Sequence, residues 1–290
     1  MKVSVVIPSY NRINLLERAV NSVIRQTKNA FEIIVVDDGS DDNSSEMVKQ
    51  KFGSVILVRQ ENCGVSAARN RGIEISKGDW IALLDSDDEW KPNKLEKQIN
   101  ALSEDPDCFF CHTNETWIRN GVRVNQGKRH KKYGGYIFDK CLDICRISPS
   151  SALFKKSILE HVGLFDNELH VCEDYDLWLR ITREHKILFI DEPLIIKYGG
   201  HSDQLSKNID GIEIYRIRSL EKLLRNKRIK RDDRLLATEM LLNKLNIYYN
   251  GCLKRGKKES AEETKEKIKC WKKKSFFKLL IFLGDHICNI

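Results

Sequence analysis

Over its first hundred positions the chain alternates short apolar runs with segments whose apolar residues recur at helical spacing. Val3 to Ile7, Glu32 to Val36, Val55 to Val58 and Trp80 to Leu84 are rich in Val, Ile and Leu and read as buried strands. Leu15 to Arg25, Asn43 to Lys51 and Ser66 to Ser76 read as the helices between them. This alternation predicts an α/β fold: a parallel sheet with right-handed crossovers and helices on both faces. Ligands of such sheets bind beyond the carboxyl ends of the strands. Those ends carry Pro8-Ser9-Tyr10-Asn11-Arg12, Asp37-Asp38-Gly39-Ser40, Glu61-Asn62-Cys63-Gly64 and Asp85-Ser86-Asp87-Asp88, so four polar, turn-forming clusters should meet along one edge.

The pattern changes after Asp107. As far as about Gly200 it is mixed, with short strands and loops around one helical segment that begins Glu173-Asp174-Tyr175-Asp176. Leu177, Trp178 and Ile181 supply the apolar face of that helix, and its carboxylates lie at the amino end, where the helix dipole favours them. Beyond Ile212 the chain reads as helical, with Lys, Arg and Glu between apolar positions and no internal repeat. The expected organisation is one α/β domain over residues 1–210 whose pattern changes near residue 105. A basic helical region over 211–290 follows.

Composition narrows the class. At 290 residues, 41% hydrophobic and 32% charged, the chain can bury a full core, and no apolar run approaches the roughly 20 residues that span a bilayer. The first residues carry one lysine and an apolar run ending at Pro8 without a small-residue cleavage site, so they read as a strand and not as a signal peptide. A cytoplasmic location is expected. Nine cysteines, an odd number in a chain without an export signal, suit free thiols. Cys108-Phe109-Phe110-Cys111-His112 spells a haem-attachment pattern, but its apolar setting favours core thiols. The net charge of +8 is concentrated late in the chain, at Arg225 to Arg231, Lys254 to Lys258 and Lys272 to Lys274. Such patches suit an anionic partner, a lipid surface included, or form an ordinary solvated helical face.

Asp85, Asp87 and Asp88 directly follow an apolar strand, which delivers hard oxygen ligands to the sheet edge where a divalent cation and a diphosphate would sit. The alternative reading is a polar loop with an Asp helix cap.

Taken in order, Val5-Val6-Ile7-Pro8-Ser9-Tyr10-Asn11, Ile34-Val35-Val36-Asp37-Asp38-Gly39-Ser40, Gly64 to Gly72, Leu84-Asp85-Ser86-Asp87-Asp88 and Glu173 to Arg180 resemble the successive motifs of the family 2 inverting glycosyltransferases, over roughly residues 1 to 205. The resemblance implies a GT-A fold with a mostly parallel nucleotide-binding sheet, a catalytic domain over residues 1–210 with a nucleotide-binding half (1–105) and an acceptor-binding half (106–210), a nucleotide-sugar donor, and a glycan, lipid-linked or protein-linked acceptor. By the same resemblance Pro8, Tyr10 and Asn11 shape the nucleotide pocket, and Asp37 or Asp38 accepts the imide N–H of uracil. Arg69 contacts the nucleotide or braces the carboxylates, Asp85 lies near the ribose, and Asp87 holds Mn²⁺ or Mg²⁺. Asp174 is the expected general base, with Glu173 orienting the acceptor or the helix. His201 is a late metal ligand, a phosphate contact or a plain loop histidine. Lys197-Tyr198-Gly199-Gly200 stands where many relatives carry an arginine, which puts the phosphate contacts of that loop in doubt.

Two other classes compete. A nucleotidyltransferase shares the sheet and the carboxylates but needs a glycine-rich basic loop after the first strand, which Pro8 to Arg12 does not provide. A nucleic-acid-binding protein would use the basic tail, yet that tail has few aromatic residues before Trp271, so no nucleic acid is expected.

Overall fold

The computed structural model describes residues 1–200 and 211–287, with side chains to Lys274. It divides into two compact units, Met1–Asn208 and Ile209–Ile290.

The first unit opens with the alternation expected from the pattern. Strand β1 (Val3–Ser9), helix α1 (Ile13–Ile24), β2 (Glu32–Asp37), α2 (Ser44–Lys51), β3 (Ile56–Arg59), α3 (Val65–Ile75) and β4 (Trp80–Leu83) follow one another. β2 and β4 flank β1 in parallel, and β3 pairs in parallel outside β2. Residues Val3 to Ser9 of the central strand are all buried, which is why this strand reads as a continuous apolar run without alternation. Val5, Ile7, Leu16, Val20, Val35 and Trp80 belong to one core cluster that joins α1 to the sheet.

The second part of this unit departs from a purely parallel sheet. β5 (Glu89–Trp90), α4 (Lys94–Glu104), β6 (Phe110–Arg119), β7 (Val122–Val124), α5 (Phe138–Cys141), β8 (Leu153–Lys155), α6 (Ile158–Val162), α7 (Glu173–Thr182) and β9 (Leu188–Gly199) complete it. The nine-stranded sheet has the order β3-β2-β1-β4-β8-β6-β9-β5, with β7 paired to β6. β8 runs antiparallel to both β4 and β6, while β6 and β9 pair in parallel with register shifts around Asn114. The expected short strands between Asp107 and Gly200 are therefore joined by two long ones. β6 takes Phe110 and Cys111 into the core, and Phe110 stacks on Phe154 at 5.6 Å and meets Trp178 edge-on at 5.2 Å. Cys108 and Cys111 are buried thiols, and His112 gives its Nε2 to the Tyr133 carbonyl at 2.8 Å, so this stretch is core.

The second unit contains α8 (Ile212–Arg225), α9 (Arg231–Lys254) and α10 (Lys258–Ile287). Leu220, Leu223, Leu224, Ala237, Leu241 and Leu245 are buried there. The apolar run from Phe276 falls in α10, beyond the described side chains. Among the described residues no helix is long and apolar enough to cross a membrane.

Candidate active site

Four polar clusters do meet at the carboxyl edge of the parallel strands. The Asn11 N–H donates to Ser40 Oγ at 2.9 Å, and Asn11 Oδ1 accepts the Asp41 N–H at 2.9 Å, which locks the loop after β1 to the loop after β2. Asn11 has a φ of +50°, a left-handed conformation that Asn tolerates better than most residues. Gly39 has φ +86°, and a Cβ there would lie 2.9 Å from the Asn62 nitrogen, so only glycine fits between these loops. Pro8 is buried in the strand end, and Tyr10 leaves its ring 48% exposed at the cleft.

Asp37 and Asp38 are both buried and serve different partners. Asp37 accepts the Ser40 N–H at 2.9 Å and the Ser45 hydroxyl, so it shapes the loop that leads into α2. Asp38 does not cap that helix. Its oxygens accept from Gln60 Nε2 at 2.7 Å, the Cys63 N–H at 3.0 Å and the Gly64 N–H at 2.8 Å, holding the entry to α3.

Arg69, in the first half of α3, is the cation at the centre of the site. One terminal nitrogen donates to Asp85 at 2.7 Å and the other to Glu173 at 2.6 Å. A single guanidinium therefore ties the acidic loop after β4 to the amino end of α7. Burial opposes the charge on Arg69, but Asp85 and Glu173 outweigh it and raise its pKa above the usual value. Burial would raise Asp85 too, yet the charges of Arg69, Lys197 and Arg12 hold it below the usual carboxylate range. Glu173 responds in the opposite sense. Burial, helped by the neighbouring Asp174 charge, pushes it up to about 7 against the pull of Arg69.

Asp87 pairs with Arg12 at 2.7 Å, and its carbonyl accepts from Arg18 at 2.7 Å. Asp88 turns inward and accepts the Ser150 hydroxyl proton at 2.6 Å, while Ser150 Oγ accepts the Asp85 N–H at 3.1 Å. The Ser150 carbonyl accepts the Trp90 indole N–H at 2.8 Å. Burial and the Asp87 and Asp85 charges push Asp88 well above the usual range, opposed chiefly by Lys197. Lys197, on β9, lies within the field of Asp88, Glu115, Asp85 and Asp87, which together raise its pKa despite burial. The position flagged as a departure from the commoner pattern thus supplies a further cation beside the acidic loop, in addition to Arg12 and Arg69. His201 lies outside the described residues.

Among the described residues no group of three or more His, Cys, Asp or Glu side chains is arranged as a metal cage. The donor chemistry nevertheless fits a hard cation held in company with a substrate diphosphate. Asp85 and Asp87 offer carboxylate oxygens at the cleft, with side chains 25% and 17% exposed.

Asp174 is the second residue of α7, which starts after Cys172 at φ +60°. Its Oδ1 accepts the Tyr175 N–H at 2.6 Å and its Oδ2 accepts the Cys145 thiol at 3.1 Å. Burial and the Asp174 charge push that thiol well above its ordinary value, so it remains a proton donor. Asp174 lines a pocket of about 200 Å³ together with Trp117, Lys132, Arg146, Ser148 and Lys197. Within its wall Glu115 is held down to about 2: burial would raise it, but Lys132 and Lys197 prevail. Glu115 bonds Lys132 at 3.1 Å, Ser148 Oγ at 2.6 Å and the Trp117 indole at 2.7 Å. The sequence reading named none of Arg12, Glu115, Lys132, Ser150 or Lys197 as a site residue. Arg12 stood inside a quoted cluster and Lys197 inside a flagged departure, while the others had no local signal.

A cleft at the strand edge with an acidic loop, joined through one arginine to a carboxylate-bearing helix beside a second pocket, defines a GT-A type scaffold. The family model described as Glycosyl transferase family 2 matches residues 4–163, and the chain belongs to that family. It is 34% identical over 220 residues to an uncharacterized glycosyltransferase of Rickettsia felis, covering 71% of this chain and 35% of that protein. The chain thus spans about a third of the length of that relative. It is 32% identical over 209 residues to the Escherichia coli UDP-Glc:alpha-D-GlcNAc-diphosphoundecaprenol beta-1,3-glucosyltransferase WfgD, covering 71% of this chain and 80% of that one. The crystal structure of S. aureus TarS residues 1–349 with UDP-GlcNAc superposes with a TM-score of 0.67 at 20% identity, over 86% of this chain and 73% of that chain. At that identity the likeness establishes the fold.

Proposed function

We propose that this protein transfers one sugar, with inversion, from a uridine-diphosphate sugar to a hydroxyl on a glycan, lipid-linked or protein-linked acceptor. The observation that carries the reading is the Arg69 bridge. It holds the donor-side carboxylate Asp85 and the amino end of α7 in one rigid arrangement, so the distance from leaving group to base is set by a buried ion pair and not by a loop. The family, the UDP-GlcNAc complex of the TarS structure and the UDP-Glc donor in the name of WfgD support the donor class.

In this reading Tyr10, Pro8, Asn11 and Asp38 border the nucleotide, and Asp85 and Asp87 face the ribose and diphosphate. A bound Mn²⁺ or Mg²⁺ would be held by Asp87 and would supply charge neutralisation at the departing diphosphate. The acceptor hydroxyl oxygen attacks the anomeric carbon as the bond from that carbon to the diphosphate oxygen breaks, and the bonding pair leaves with the diphosphate. The hydroxyl proton passes to Asp174 Oδ2, which exchanges its thiol partner for the acceptor hydroxyl. The Glu173–Arg69 bond fixes the helix that carries this base. The basic stretches of the helical unit suit peripheral contact with an anionic membrane surface.

The test is calorimetric titration with UDP, TDP, GDP and CDP, with and without Mn²⁺, followed by turnover with sugars of the nucleotide that binds. Metal-dependent UDP binding that Asp87→Ala abolishes and Asp174→Asn retains is expected. Asp174→Asn should lower turnover by about 10²- to 10⁴-fold, the usual contribution of a general base. Well-folded protein that binds no diphosphate, or an Asp174→Asn enzyme with wild-type turnover, would sink the reading.

A further inference from the structure

The pocket beside Asp174 has an uneven charge balance along one wall. Between Asn120 and Ile147 the chain carries Arg123, Lys128, Arg129, Lys131, Lys132, Lys140 and Arg146 against two carboxylates, Asp139 and Asp143. Both of those are engaged, Asp143 by Arg129 at 2.8 Å and Asp139 by Lys140 at 2.7 Å. Lys132 is matched by Glu115 from β6 at 3.1 Å. Arg123, Lys128, Lys131 and Arg146 have no carboxylate partner among the described residues.

Two of these cations stand together beside the Tyr133 ring, Lys131 at 5.5 Å and Arg146 at 5.4 Å from its centroid, and of the two it is Arg146 that lines the cavity. Arg146 gives its guanidinium protons to the carbonyls of Lys140, Arg129 and Lys131, a contact set that holds the group in place without neutralising it. Lys131 is exposed and directly follows the 3₁₀ turn Lys128–His130. Lys128 is exposed at the start of that turn, and His130 lines the pocket in a T-shaped contact with Trp117, ring centroids 5.0 Å apart. An indole suits a sugar ring, and a fixed guanidinium suits an oxyanion bearing several oxygens. One cavity is thus lined by an indole, by a guanidinium without a carboxylate partner and by the candidate base, with the exposed Lys128 and Lys131 on the stretch that Arg146 braces.

We propose that the acceptor of this enzyme carries a phosphate next to the sugar that is glycosylated, and that Arg146 with Lys131 and Lys128 binds that phosphate while Trp117 packs on the sugar. This rests on Asp174 being the base of the transfer. A phosphate of this kind belongs either to a lipid-linked sugar diphosphate or to a phosphodiester polymer.

The experiment titrates the full chain, with and without saturating UDP and Mn²⁺, with three probes: a hexosamine diphosphate on a short isoprenoid, a glycerol-phosphate oligomer, and an uncharged oligosaccharide. At least one phosphate probe should bind more than about tenfold tighter than the uncharged one, in a salt-sensitive way. Which of the two binds identifies the source of the phosphate. Lys128→Gln/Lys131→Gln and Arg146→Gln should each weaken that probe about tenfold without changing UDP affinity. Because Arg146 braces three carbonyls, the exposed double-lysine variant decides the matter if Arg146→Gln folds poorly. Phosphate probes that bind no better than the uncharged sugar, or that bind the double variant as well as wild type, overturn the proposal. Failure of UDP to bind would instead strike the donor reading, and the titrations without UDP would still decide what the pocket recognises.

Discussion

Two ion pairs show how differently the halves of the first unit use charge. Arg12 and Asp87, at the edge of the parallel strands, meet at 2.7 Å with side chains 16% and 17% exposed. Lys132 and Glu115, in the wall of the second pocket, meet at 3.1 Å with side chains 4% and 3% exposed. Water reaches the first pair, which can open and re-form at small energetic cost. The second pair is sealed, and its two charges stabilise each other only while both remain. The strand edge therefore presents charge for exchange, whereas the mixed half uses charge to fix its own shape and leaves Arg146, in the same pocket wall, without a carboxylate partner.

The sharpest way to break this contrast is to remove one sealed partner. Lys132→Met should lower unfolding free energy by about 3–5 kcal/mol, because it strands the Glu115 carboxylate among Ser148, Trp117 and Lys197. Chemical denaturation at pH 7 measures this, and a loss below about 1 kcal/mol would mean that water reaches the pair after all. A proton provides the next test. Burial, reinforced by the charge of Lys132, pushes His112 down to about 3, so the folded protein keeps this ring neutral while the unfolded chain protonates it near 6.5. Stability from this group is complete above pH 6.5 and is lost as the pH falls from there toward 3. The slope approaches about 1.4 kcal/mol per pH unit, and His112→Gln should flatten it in denaturation curves taken between pH 7 and pH 5. The smallest effect lies on the exposed side. Arg12→Gln should change stability by no more than about 1 kcal/mol while weakening diphosphate binding, and a larger stability loss there would erase the difference between the halves.

The same contrast explains what could be read from the chain. In the parallel half each strand delivers its own chemistry to the edge, so Asp85, Asp87, Asp38 and Tyr10 stood next to the apolar runs that position them. Their partners did not. Nothing near Asp87 points to Arg12, which lies after a different strand, and Asp37 and Asp38 look alike in sequence while one shapes the turn into α2 and the other holds the entry to α3. In the mixed half the site is assembled from β6, the loop around Ser148, α7 and β9, which are far apart along the chain. There α7 was legible, because Leu177, Trp178 and Ile181 keep helical spacing, and the apolar run Cys108 to Cys111 marked the buried start of β6 but not its length. β8 is three residues long and carries no periodic pattern, yet it joins β4 to β6 and turns a parallel sheet into a mixed one.

Ser150 gives that junction a further meaning. Its hydroxyl and carbonyl fasten Asp88, the Asp85 amide and the Trp90 ring, all belonging to or bordering the acidic loop, from the 3₁₀ turn Pro149–Ser151. The shape of the carboxylate loop after β4 is therefore written partly in residues that follow β6. A chimaera that grafts the acceptor half of one relative onto the donor half of another would import this clasp with it. Donor affinity in such hybrids should follow the origin of the Pro149–Ser151 turn as well as that of the loop it holds.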